Sequence, residues 1–125
     1  MLPNLFRNLL LATTLALPIV PLNIQNALAN HLDFTLYNNN ELSIWAIYVS
    51  AAKSDYWGGD ILGRDVLSSG ESTRVSFPYS TASSPCVYDI KIVYSNATYD
   101  LTQENLCQID SISTRGYGGD YILQR

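Results

Sequence analysis

From Phe34 onward, apolar and polar residues alternate with a period of two rather than 3.6, and that period buries one face of a strand instead of one stripe of a helix. The clearest case is residues 87–94. Tyr88, Ile90, Ile92 and Tyr94 alternate there with Val87, Asp89, Lys91 and Val93. The aromatic and β-branched set is the expected buried face. Phe34 and Leu36 alternate with Thr35 and Tyr37. Asn38, Asn39, Asn40 and Glu41 then lead into the run 44–49, so the two segments read as a hairpin. The run 44–49 is apolar on both faces, which predicts a central strand covered on both sides. Thr73, Val75 and Phe77 form a further strand that Pro78 stops, because proline cannot donate to a ladder. Residues 98–102 and 106–113 complete the set, with at most one helical turn at 100–106. The expectation is an all-β fold, a small antiparallel sandwich or incomplete barrel of about six strands with one disulfide.

The amino-terminal region has a different character. Residues 9–20 are an almost uninterrupted apolar run, and Ala27, Leu28 and Ala29 supply the small-x-small pattern that signal peptidase accepts. About a dozen residues fall well short of the roughly 30 Å that a spanning helix must cross. Pro18 and Pro21 would break a longer helix. Residues 1–29 therefore read as a cleaved signal peptide and 30–125 as a single β domain, secreted or periplasmic, with no stable membrane anchor.

A domain of that size buries only about two-thirds of the surface its unfolded chain exposes, and a covalent brace helps it. Cys86 and Cys107 are the only cysteines, both in the exported part, where disulfides persist. Closing a loop of about twenty residues contributes roughly 3 kcal/mol. Two cysteines without nearby histidines do not make a zinc site, and their spacing is not that of a redox motif.

Without Arg7, six basic residues remain against eleven acidic ones, a net charge of −5. The basic residues are scattered singly among acids, which excludes nucleic acid as the expected partner. The same balance disfavours anionic membranes.

One stretch carries a resemblance. Trp57-Gly58-Gly59-Asp60-Ile61-Leu62-Gly63 and Leu67-Ser68-Ser69-Gly70-Glu71-Ser72 follow Ile47-Tyr48-Val49-Ser50 and precede Cys86-Val87-Tyr88-Asp89-Ile90 and Leu106-Cys107. In this order and spacing the motifs resemble a family of small exported bacterial proteins, from Phe34 to about Thr114. Ile47 stands where Leu is usual, and Asn39, Asn40 and Glu41 replace a Thr-Gly-like turn. The resemblance implies export and names no activity. The argininosuccinate lyase label that some members carry is not transferred, because such a lyase is a large helical tetramer and this chain is short and strand-rich.

Candidate sites follow from residue type. Asp55, Asp60 and Asp65 lie in one glycine-rich loop with the hard oxygen donors that calcium prefers, although their five-residue spacing is too wide for an EF-hand. Solvated turn aspartates are the simpler reading, and Asp60 suits a side-chain cap. Tyr56, Trp57, Tyr79, Tyr117 and Tyr121 fall in expected loops, where aromatics with polar tips either bind a protein or carbohydrate or seal the sandwich edges. Tyr56, Trp57 and Asp60 are the candidate ligand-binding residues. The segment from Tyr117 to Leu123 echoes that from Trp57 to Leu62 as aromatic-Gly-Gly-Asp, which is ordinary turn composition. No catalytic residue is assigned. His31, the only histidine, sits at the expected mature terminus, and a general base needs a fixed partner. Asp100 with Glu104, or Asp60 with Asp65, are carboxylate pairs that surface solvation explains more simply. The expected function is an interaction or structural module; a ligand- or calcium-binding domain using the 57–65 loop is the alternative, and a small hydrolase a distant third.

Overall fold

The computed structural model of the protein describes residues 31–124, so the expected signal peptide and its cleavage point lie outside the described residues. The strands are β1 (Phe34–Asn40), β2 (Ile44–Ala51), β3 (Ser72–Val75), β4 (Val87–Tyr94), β5 (Thr98–Asn105), β6 (Ser111–Gly116) and β7 (Tyr121–Ile122). They form a three-stranded sheet in the order β3-β1-β6 and a four-stranded sheet in the order β2-β4-β5-β7. The fold is all-β, and no described residue is helical. The one-turn reading of 100–106 is replaced by the end of β5, which carries the 98–102 strand on to Asn105. Cys107 accordingly lies in the turn after β5 rather than within the last long strand.

The core is drawn from the inner faces of both sheets. Leu32, Phe34, Leu36, Ile44, Ile47, Val75, Ile90, Ile92, Tyr94 and Leu106 are buried in one cluster. On β4, Ile90, Ile92 and Tyr94 are buried and Tyr88 is half-buried, as the alternation predicts, while Val93 on the other face is buried as well. One pairing is not antiparallel: β6 runs parallel to β1, with Leu36 opposite Ile112.

Two expectations about neighbours are corrected. β1 and β2 do not form a hairpin; β1 pairs with β3 and β6, and β2 with β4. The physical reason lies in the inner face of β1, which runs Phe34, Leu36, Asn38, Asn40, all fully buried. Asn38 donates to the carbonyls of Leu42 (3.0 Å) and Leu67 (2.9 Å) and accepts from the Asn40 amide and the Thr114 hydroxyl. Asn40 donates to the carbonyls of Arg115 and Gly118 and accepts from the amides of Leu42 and Gly118. Each side chain therefore uses two donors and two acceptor positions, its full capacity. The amides take the place of ladder bonds where the chain leaves one sheet for the other.

β2 is likewise not a central strand. It forms one edge of its sheet, and residues 56–67 run along its free side. Ile61 donates to the Ile47 carbonyl, and Ile44 exchanges both backbone bonds with Leu67. The register shifts between Ile44 and Ala46, which makes Trp45 a bulge residue and lets Ile44 and Ile47, three apart, both reach the core. That bulge, not cover on both faces, accounts for the continuous apolar run.

The second aromatic-Gly-Gly-Asp segment lies along the opposite edge. β7 pairs with β5 through Thr98 with Ile122 and Tyr99 with Tyr121. The 57–62 segment thus flanks the β2 edge, whereas the second segment leads into β7, which is itself the opposite outer strand and is only two residues long, a short edge that makes a poor pairing template. Gly119 makes the close approach possible, since a Cβ there would lie 2.3 Å from the Tyr99 carbonyl carbon. Gly119→Ala is expected to displace β7 and lower stability by about 2 kcal/mol, a typical value for a backbone clash at a peripheral element. Gly59→Ala, whose Cβ would meet nothing within 4 Å, serves as the control. Urea midpoints for the two variants check this.

Candidate functional site

Residues opposite one another in the ladders share a face, so the outer face of the four-stranded sheet can be read from its register. One row is Tyr48, Lys91 and Leu101; the next is Ala46, Val93, Tyr99 and Tyr121; a third is Ser50, Asp89 and Gln103. Tyr48 lies directly across from Lys91, and Tyr99 lies on the diagonal, both within reach of a long side chain. The Ser50 hydroxyl donates to the Tyr56 carbonyl (2.7 Å), which holds the segment after β2 against the strand. Trp57 follows directly and meets Lys91.

The result is a cation among rings. The Lys91 ammonium lies 5.0 Å from the Tyr99 ring centroid and 5.9 Å from those of Tyr48 and Trp57. Each contact is within the range at which a ring face attracts a cation. Tyr99 in turn stacks on Tyr121, centroids 5.2 Å apart. Gln103 donates to the Asp89 carboxylate (2.9 Å), so an acceptor and an amide stand beside the aromatic group.

Of the expected ligand residues, Trp57 joins this face. Tyr56 does not share its contacts with Lys91; its side chain is 75% exposed. Tyr79, at 94% exposure, and Tyr117, at 69%, are also turned to solvent and seal no edge. Tyr121 belongs to β7 rather than to a loop.

Asp60 has a structural task. Its Oδ1 accepts from the amides of Ile47 (2.9 Å) and Leu62 (3.0 Å), satisfying the free edge of β2 and the turn that follows. The structure does not bring Asp55, Asp60 and Asp65 together as a ligand set. Asp55 and Asp65 are exposed, and no group of three or more His, Cys, Asp or Glu able to hold a metal occurs among the described residues. Loop aspartates spread out because each serves, or is solvated beside, its own turn. Asp60→Ala is expected to cost about 1–2 kcal/mol by leaving two amides without their acceptor, and neither calcium nor a chelator should move the wild-type melting temperature. A rise with calcium would restore the loop as a metal site.

A cleft of about 350 Å³ lies between β5 and β6, lined by Asp100, Thr102 and Glu104 on one side and Ser113, Thr114 and Arg115 on the other. Asp100 and Glu104 are four residues apart on one strand, a backbone separation of about 13 Å. Paired carboxylates acting across one glycosidic bond stand within about 10 Å. Each is also engaged: Asp100 accepts from the Tyr94 hydroxyl (2.8 Å) and the Asp120 amide (2.9 Å), and Glu104 accepts from Thr102 (2.6 Å). Burial, then the hydrogen bond to Asp100 and its charge, hold the Tyr94 phenol well above the ordinary tyrosine range, while Thr114 and Asn40 act in the opposite direction. Of the pair Asp60 and Asp65, Asp60 holds two backbone amides through Oδ1 and Asp65 is exposed.

Cys86 and Cys107 are disulfide-bonded, Cα atoms 5.3 Å apart, at the open end of the β4-β5 hairpin. Leu106 donates to the Cys86 carbonyl beside the bridge.

Sequence reasoning missed Lys91, Tyr48 and Tyr99 as a group. The signal was present in the outward positions of β4, but which rings stand beside Lys91 depends on strand register. No family model matches this chain, and neither does any curated protein or solved structure.

Proposed function

We propose that the chain is an exported interaction module, a disulfide-braced sandwich that presents the outer face of its four-stranded sheet to a partner. The observation that carries this reading is the gathering of Tyr48, Trp57 and Tyr99 around Lys91 on a face outside the core. Rigid aromatics with polar tips give contact area at low entropic cost, and strands hold them more firmly than loops. The signal-peptide pattern of residues 1–29 and the motifs shared with small exported bacterial proteins support a secreted or periplasmic setting. The disulfide fits that setting.

The test compares the secreted wild type with a Tyr48→Ala/Trp57→Ala variant for sedimentation with the isolated envelope of the producing cell. Circular dichroism verifies that the variant is folded. Loss of association in a folded variant is the expected result; equal association would remove the face from consideration.

A further inference from the structure

We infer that the free edge of β6 receives a strand from a partner protein, an extended segment with lysine or arginine at alternate positions. This surface is separate from the outer face of the four-stranded sheet. In the parallel ladder with β1, Ser111 lies opposite Thr35 and Arg115 opposite Asn39. Thr35 donates to the Asp110 carbonyl and Glu41 to that of Gly116, so the even-numbered residues of β6 turn their N–H and C=O groups toward β1. Ser111, Ser113 and Arg115 point theirs the other way. The Arg115 carbonyl accepts from Asn40; the other five groups have no partner among the described residues. A row of amides and carbonyls at the strand repeat is matched group for group only by another extended backbone. The remaining outer strands offer less, since residues 56–67 run along β2, β7 has two residues and β3 has four.

The side chains of that strand are selected by what lies beneath it. The β4-β5 register puts Asp100 across from Ile92, Thr102 from Ile90 and Glu104 from Tyr88, so the row of β5 on the core side of the sheet is polar and acidic. This row borders the cleft beside β6, which Asp120 lines as a third carboxylate and Arg115 as the one cation. Asp100 and Glu104 accept from hydroxyls and a backbone amide rather than from cations. The sheet β3-β1-β6 has one strand fewer than the sheet facing it, and a strand added beside β6 takes the fourth place, with alternate side chains turned toward these acids. Lysine or arginine at those positions gives the complementary charge. A second copy of this chain fits poorly: its β6 would turn Ile112 and Thr114 inward, with no cation, and would bring a second acidic row close to the first.

The experiment titrates the purified protein with two capped octapeptides, one alternating threonine with lysine and one alternating threonine with glutamate, by calorimetry and amide hydrogen exchange. Saturable binding of the lysine peptide alone, with slowed exchange at Ser111, Ser113 and Arg115, is the expected result. Methylating the backbone nitrogens of alternate peptide residues separates strand pairing from plain attraction between charges. One methylated set, whose N–H groups face β6, should abolish binding, and the other should leave it intact. Ser113→Pro removes an edge donor that β1 does not use and should weaken binding roughly 10-fold. Glu104→Gln should weaken it several-fold. Circular dichroism verifies that both variants are folded, and the methylated peptides decide the matter on the wild type if Ser113→Pro is not. Absence of binding, no difference between the two methylated sets, or protection at Leu101 and Gln103, on the part of β5 that β7 leaves unpaired, overturns the inference. So does dimerisation of the protein through Ser111 and Ser113 before peptide is added. The Tyr48→Ala/Trp57→Ala variant should bind the lysine peptide as the wild type does, so the outer-face reading can fail while this one stands.

Discussion

Asn40→Ala is expected to destabilise the domain by about 4 kcal/mol, a large part of the 5–15 kcal/mol that holds a domain of this size. The Asn40 side chain is fully buried and makes four hydrogen bonds, to Leu42, Arg115 and twice to Gly118. Truncation leaves four backbone groups without this partner, each costing about 1–3 kcal/mol where water does not reach it. Relaxation and water entry keep the total below the sum. Asn39→Ala is the matched control, because that side chain is exposed on the opposite face of β1. Its expected change is within about 0.5 kcal/mol. Two urea curves decide the matter: coincident midpoints for the two variants would mean that the amide network is incidental. Asn40→Asp is informative as well, since it keeps the acceptors and loses the donors to Arg115 and Gly118. Amide exchange in β7 should accelerate in that variant before exchange in β4, because Gly118 leads into β7.

Opening the Cys86–Cys107 bond is the second large effect. The bridge closes a loop of 21 residues in sequence separation. Its removal, by reduction or as Cys86→Ser/Cys107→Ser, is expected to cost about 3 kcal/mol. For a domain under a hundred residues this lowers the melting temperature by about 15 °C. The bond ties the residue before β4 to the turn after β5, so its loss frays the end of that hairpin. Calorimetry with and without reductant measures this. A shift of only a few degrees would show that the β4-β5 ladder alone holds the hairpin end.

The candidate face was only half legible. Trp57 was legible as an aromatic with a polar tip in an expected loop, whereas Tyr48 and Tyr99 read as ordinary strand residues and Lys91 as ordinary polar alternation. Their meeting depends on the Trp45 bulge and on the β2-β4 and β4-β5 registers, which place Tyr48 and Leu101 on either side of Lys91. Asp60 was legible as a turn cap, yet its bond to Ile47 crosses 13 residues of sequence and has no local signature. The aromatic-Gly-Gly-Asp echo was visible as a string, and its shared placement along two sheet edges was not.

The sequence by itself determined the all-β class, the cores of β1, β2, β4 and β5, and which two cysteines join; it misplaced the start of β6 and missed β7. These are local or unique choices: a period of two settles a strand's faces, and two cysteines have one pairing. The tertiary structure decided which strand lies beside which. It moved β1 and β2 into different sheets, set β6 parallel to β1 and made β2 an edge. Alternation says which side of a strand is apolar but is silent on its neighbour. That choice rests on long-range bonds from Asn38 and Asn40 to Leu67, Thr114 and Gly118, where burying an amide is tolerable only if all of its partners arrive together.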